Sequence, residues 1–137
     1  MWWIALSTCA AYAQDDGFDA YFATFQQAVA AKDREATAAL TGFPFTSWDL
    51  VGKVPKKLTR GSEGGPVSLE HDAFVAAWPR LFDKEARAHV AAPNPVELGE
   101  NGRGVGIWGG EDWAVWLVFE RGEDGVWRLV GTDNVSG

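Results

Sequence analysis

Cysteine is nearly missing from this chain. Cys9 is the only one in 137 residues, and it falls in an uncharged opening stretch unlike the rest. From residue 14 onward there is none, which excludes disulfides, a cysteine nucleophile and a zinc–thiolate site there. Positive charge is also scarce: 12 Lys and Arg face 19 Asp and Glu, for a net charge of −7 and a pI near 4.7. Nucleic-acid binding needs Lys and Arg gathered on one face. The one basic cluster, Lys53, Lys56, Lys57 and Arg60, lies in a loop-like stretch and reads as a solvated loop, so no nucleic-acid partner is expected. Histidine is limited to His71 and His89, which lack the close spacing of metal motifs; neither a metal nor a cofactor is expected. Ser7, Ser47, Ser62, Ser68 and Ser136 have no nucleophile-elbow context. The longest apolar stretch falls short of the roughly 20 residues that span a bilayer, so no stable membrane span is expected.

That stretch is MWWIALSTCAAYA, residues 1–13. It carries no charge, and Ala11-Tyr12-Ala13 fits the small-x-small pattern before a signal-peptidase cut, with Gln14-Asp15-Asp16 as a polar start for the mature chain. The expectation is an exported protein, periplasmic or extracellular, with a signal peptide at 1–13 and one domain over 14–137. The usual basic n-region is missing, which an upstream start codon would supply. Leu6-Ser7-Thr8-Cys9 is a partial lipoprotein box, with Thr8 a poor residue before a lipidated cysteine.

What remains is globular in composition, 47% hydrophobic and 23% charged, and long enough to stand on a core. Over Asp16–Lys32 the apolar residues Phe18, Tyr21, Phe22, Phe25 and Val29 form one helical stripe, with Asp15 or Asp16 available as cap. A short second helix fits Asp33–Leu40, with Asp33 as N-cap and Gly42 just past its end. Phe43-Pro44-Phe45 must leave the helix. Residues 46–67 are weakly patterned, and Pro55 and Gly61-Ser62-Glu63-Gly64-Gly65-Pro66 mark an exposed loop. A third helix is expected after Ser68 as N-cap, with Phe74, Trp78, Leu81 and Phe82 inward and a kink or separate turn at Pro79. From Ala88 the period reads as two. Val105–Trp108, Trp113–Glu120 and Val126–Thr132 read as strands, and Ala88–Ala92 and Pro95–Leu98 as further ones. Tight turns are expected at 109–112 and 121–125. Helices first and an antiparallel sheet afterward make an α+β domain.

The order of these elements is familiar. FDAYFATFQQAVAAKD leads into a short helix ending ALTGFPF; then come a loop, LEHDAFVAAWPRLF, GVGIWGG and the closing VWRLVGTDN. Over about residues 16–134 this resembles the nuclear transport factor 2-like superfamily, the cone-shaped, cystatin-like α+β fold of ketosteroid isomerase and SnoaL-type cyclases. It looks closest to small exported bacterial members of no assigned activity. The resemblance rests on element order, the FPF turn and the GxGxW hairpin, not on a catalytic signature. It implies about three helices packed on a curved antiparallel sheet. It leaves function open, because that fold hosts enzymes, adaptors and binding modules.

Pairing the last two strands through their turn sets Phe119 opposite Trp127, Leu117 opposite Leu129, Val115 opposite Gly131 and Trp113 opposite Asp133, with Trp108 beside Trp113. At the open end of this inner face Trp108, Trp113 and Asp133, with Tyr21, Trp48 and Trp78, would make an aromatic cup with one carboxylate. Such a cup suits a small apolar or cationic ligand; the same residues also fit plain core packing. The opposite face would carry Val105, Ile107, Trp116, Val118 and Val130, an apolar patch suited to a homodimer through the sheet. A one-residue slip would exchange the two faces. No catalytic set is assigned. His89, read in a strand, and Asp133 are the candidate acid–base pair, while His71 reads as solvent-facing beside Glu70 and Asp72. Glu111, Asp112, Glu123 and Asp124 read as turn and solubility charges. Gly102-Arg103-Gly104-Val105-Gly106 precedes no helix and is not a nucleotide loop. The expected function is an exported, non-enzymatic binding or accessory module. The alternative is a small-molecule isomerase, dehydratase or cyclase using the cone interior.

Overall fold

The computed structural model of the chain describes residues 17–47, 67–93, 95–109 and 113–136. The expected export signal, Asp15 and Asp16, the basic cluster, the Gly-rich loop and Trp48 lie outside the described residues. Four helices pack on one curved sheet, an α+β arrangement as expected. No helix among the described residues is long and apolar enough to cross a membrane.

Helix α1 (Phe18–Ala30) buries Phe18, Phe22, Phe25 and Val29 as one stripe and leaves Tyr21 half-buried. It starts at Gly17, whose φ of 84° lies in the left-handed region that glycine enters without penalty. Asp33 caps α2 (Arg34–Ala39) by accepting the Ala36 N–H at 3.0 Å. The chain then enters strand β1 (Thr41–Ser47), so Gly42 and the FPF segment are strand, with a cis Phe43–Pro44 peptide. Strand β2 (Val67–Leu69) contains Ser68, which therefore does not cap the third helix. That place belongs to Glu70, and α3 spans His71–Leu81 with Pro79 inside it, so no separate turn begins there. Phe74, Trp78 and Leu81 face the core as expected, with Phe82 just past the helix.

The period-two reading of Ala88–Ala92 is overturned. These residues close helix α4 (Lys84–Ala91), which Asp83 caps through the Ala86 N–H at 2.9 Å. Ala86 and Val90 are buried one turn apart, which Ala88-His89-Val90 taken alone imitates as alternation. Strands β3 (Val96–Glu97), β4 (Gly102–Gly109), β5 (Trp113–Arg121) and β6 (Trp127–Ser136) complete a sheet of order β2-β1-β6-β5-β4-β3. The β1–β6 pair is parallel and the others are antiparallel, so the sheet is mixed.

Two bulges decide which side chains face inward. In β6, Phe119 pairs with Leu129 but Val118 pairs with Gly131, leaving Val130 as the extra residue. In β4, Gly106 pairs with Trp116 but Trp108 pairs with Val115, leaving Ile107 as the extra one. Each bulge exchanges faces for the rest of its strand. The expected pairings fail from the turn onward, where Arg121, not Phe119, lies opposite Trp127, and beyond the bulge Asp133 lies opposite Trp116. Val105 pairs with Leu117, and both Val105 and Ile107 are fully buried in the core. They are not part of an outer, dimerising face. Trp116, Val118 and Val130 stay half-buried and outside the core cluster. At the center of that core Phe119 receives Phe18, Phe22 and Phe25 edge-on, at centroid distances of 5.8, 5.6 and 5.1 Å.

Candidate functional site

The expected aromatic cup does not assemble. Tyr21 packs on the core and donates its hydroxyl to the Leu40 carbonyl at 2.6 Å. Burial pushes its phenol far above the usual range, against the lowering effects of a Leu129 backbone hydrogen bond and the Arg128 charge. It is a hydrogen-bond donor, not a base. Trp78 is buried at 3% exposure beside Phe82, and its Nε1 has no partner among the described residues. Asp133 is exposed on the outer face, the β6 bulge having turned it away from the interior. Trp48 and the Trp113 side chain lie outside the described residues. The candidate His89–Asp133 pair is not formed. His89 lies exposed on α4, where its Nε2 stands 3.9 Å from Glu85 Oε2, one turn back.

Polar side chains do enter the interior, but as hydroxyls already engaged. Thr37 donates to the Asp33 carbonyl at 2.8 Å, Thr41 donates to the Thr37 carbonyl at 2.8 Å, and the Ser47 and Thr132 hydroxyls meet at 2.7 Å. None of these four buried polar residues titrates in the ordinary pH range.

A cleft of about 430 Å³ opens instead where α4 crosses the free edge of β4. Strand β3 covers that edge only as far as Gly104, which pairs with Val96. Beyond it the wall is Glu85, His89 and Ala92 from α4, Pro93 and Val96 after it, Gly106, Trp108 and Gly109 from β4, and Trp116 from β5. A Cβ built on Gly106 would meet nothing within 4 Å, so the backbone there borders open space.

Both tryptophans are fixed before any ligand arrives. Trp108 Nε1–H donates to the two Asp83 carboxylate oxygens at 3.0 and 3.1 Å, and the same carboxylate caps α4. One side chain thus ties the aromatic wall to the helix that bears Glu85 and His89. Trp116 lies against bare backbone: a Cβ on Gly104 would fall 2.5 Å from its Cε3. Of the predicted pocket residues that the structure describes, the cleft keeps only Trp108. It adds Trp116, which the sequence reading placed on a dimer face, and His89, there a catalytic candidate. Asp83 and Glu85 were missed. Their signal was present: an Asp three residues before Ala86 is a capping pattern, and Glu85 with His89 is an i, i+4 pair. Reading 83–91 as helix would have found both.

His71 is exposed as expected but well occupied. Its Nδ1 is 2.7 Å from Asp72 Oδ1 and its Nε2 is 2.8 Å from Glu35 Oε1. The hydrogen bonds with Asp72, then with Glu35, raise its pKa above the ordinary histidine value. No group of three or more His, Cys, Asp or Glu suited to a metal ion occurs among the described residues.

No protein-family model and no curated protein matches this sequence. Solved structures similar in fold include an NTF-2 like protein of unknown function from Silicibacter pomeroyi, 17% identical, with TM-score 0.44, covering 93% of this chain and 99% of that one. A ketosteroid isomerase-like protein from Erwinia carotovora atroseptica is 9% identical, with TM-score 0.46, over 86% of this chain and 92% of that one. A domain of unknown function with a cystatin-like fold from Nostoc punctiforme is 11% identical, with TM-score 0.45, over 93% and 80%. These are likenesses of fold alone.

Proposed function

We propose that this chain is a non-enzymatic binding module that seats a small, largely apolar ligand in the cleft between α4 and the β4 edge. One observation carries the reading: Trp108 is locked to the Asp83 carboxylate by both oxygens. The bond sets the orientation of the indole in advance, and a binding wall gains from being so set. The volume, about 430 Å³, lies within the usual range for small-molecule sites. The isomerase, dehydratase or cyclase alternative needs polar groups converging in the interior, and its named pair, His89 and Asp133, is split between α4 and the outer face of β6.

The reading includes export, supported by the charge-free run before Ala13; the native chain then begins at Gln14, which its intact mass checks. It also includes a homodimer through the outer sheet face, supported by Trp116, Val118 and Val130. The function is tested by following tryptophan fluorescence while a panel of small aromatic and aliphatic amines and alcohols is titrated in. Saturable change in the parent, lost in Trp108→Ala, is the expected result. A flat response across the panel, or an unchanged response in the variant, refutes the reading.

A further inference from the structure

We propose that the ligand of this cleft is an organic monocation, an ammonium carrying alkyl groups; the inference rests on the cleft being the binding site. Two indoles and one carboxylate wall the space, and among the described residues none that lines it is Lys or Arg. The basic side chains of α4 are engaged or directed elsewhere: Arg87 donates to the Phe82 carbonyl at 2.8 Å, and Lys84 is exposed outside the lining. An indole face attracts a cation through its quadrupole, most strongly where water is partly excluded.

The Asp83 contact sharpens this preference. An indole N–H held by a carboxylate at 3.0 and 3.1 Å is polarised toward the ring, which makes the π face of Trp108 more negative. Glu85 brings a full negative charge to the same wall, half-exposed, where it can meet an ammonium without first being desolvated. His89 is the remaining titratable group of the lining and is Glu85's neighbour. Among the described lining residues an anionic ligand would find no basic partner other than His89. A neutral apolar one would leave the Glu85 charge against its surface unused. The net charge of −7 adds long-range attraction for cations.

The experiment uses the full chain and two probes of equal shape: choline, and its uncharged carbon analogue 3,3-dimethylbutan-1-ol. Calorimetric or fluorescence titration should show choline binding about tenfold more tightly than the analogue, in line with a partly desolvated cation–π contact. Glu85→Gln, at an exposed position, should lower choline's affinity severalfold and the analogue's by less, so that the ratio falls but the share owed to the indoles remains. Asp83→Asn should weaken choline as well. Equal affinity for the two probes overturns the cation inference and leaves the cleft standing as an apolar site. Binding of neutral panel members with no response to choline has the same meaning. Failure of choline, the analogue and the panel together overturns both the inference and the binding function beneath it.

Discussion

Phe22 and Tyr21 are adjacent on α1, yet the interactions that hold them differ in kind. Phe22 is 5% exposed and stacks on Phe18 and Phe25 while meeting the Phe119 ring edge-on at 5.6 Å. Truncation to Ala removes transfer energy and opens a cavity that the rigid sheet cannot close. The cost should be about 3–5 kcal/mol, a large share of an ordinary domain's stability, read as a shift in a denaturant midpoint. Tyr21→Phe loses the hydroxyl's contact with the Leu129 backbone and its bond to the Leu40 carbonyl. That carbonyl also accepts the Leu129 N–H at 3.0 Å, so no buried acceptor is orphaned and the loss should stay near 1 kcal/mol. A Phe22→Ala shift below about 1 kcal/mol would show that the stripe is not core. This part of the fold was legible, because five apolar residues at helical spacing leave one way to bury them. Asp83 was less so, since its two roles, cap and indole anchor, require knowing that Trp108 lies across from it.

At the scale of elements, legibility ended where the chain counts residues. The strands β4, β5 and β6 are plain in the sequence, but Ile107 and Val130, the bulged residues, look like any other strand residue. Each adds one to the register, and the added residue moved Val105 and Ile107 inward and Asp133 outward. Strands β1 and β2 were hidden for another reason: their pairing partners are distant in sequence, so no local alternation announces them. Between α2 and α3 the structure adds a contact that is a function of pH. His71 presents one ring nitrogen to Asp72 and the other to Glu35, and only the doubly protonated ring donates to both. Its folded pKa is raised above the unfolded value. The stabilisation is therefore fully present below the unfolded value of about 6.5 and is lost as pH rises through the folded one. The parent should exceed His71→Gln in denaturant midpoint most at a pH slightly below that value, with the gap narrowing toward alkaline pH. A gap that is constant with pH, or that widens, would contradict the ring's dual role. Added salt should shrink it, since both partners are exposed.

For the whole molecule the question is what covers the outer sheet face. Losing Val105 and Ile107 to the core makes the apolar patch smaller than the sequence implied, but not polar. Val118 stands in register between Gly104 on β4 and Gly131 on β6, so glycine backbone flanks it on both sides. Trp116 and Val130 lie near it, and Leu98 at the rim is 46% exposed. A solvated antiparallel face ordinarily alternates to polar side chains; here Asp133 lies opposite Trp116 and Glu120 opposite Arg128, and the strip between them, with Val118 and Val130, is apolar. Two copies related by a two-fold axis would place Val118 and Trp116 against their own images. A stable interface takes roughly 800 Å² per partner, more than three side chains offer, so exposed neighbours such as Leu98 would have to join the contact. Val118→Glu is the sharper probe than any change at Trp116, because Trp116 also walls the cleft. The charge would sit at the center of the contact while the core and the cleft keep their residues. Sedimentation equilibrium should find the parent dimeric and the variant monomeric, with both melting at nearly the same temperature when measured dilute. A parent that stays monomeric at every accessible concentration refutes the homodimer and assigns the face to a different protein.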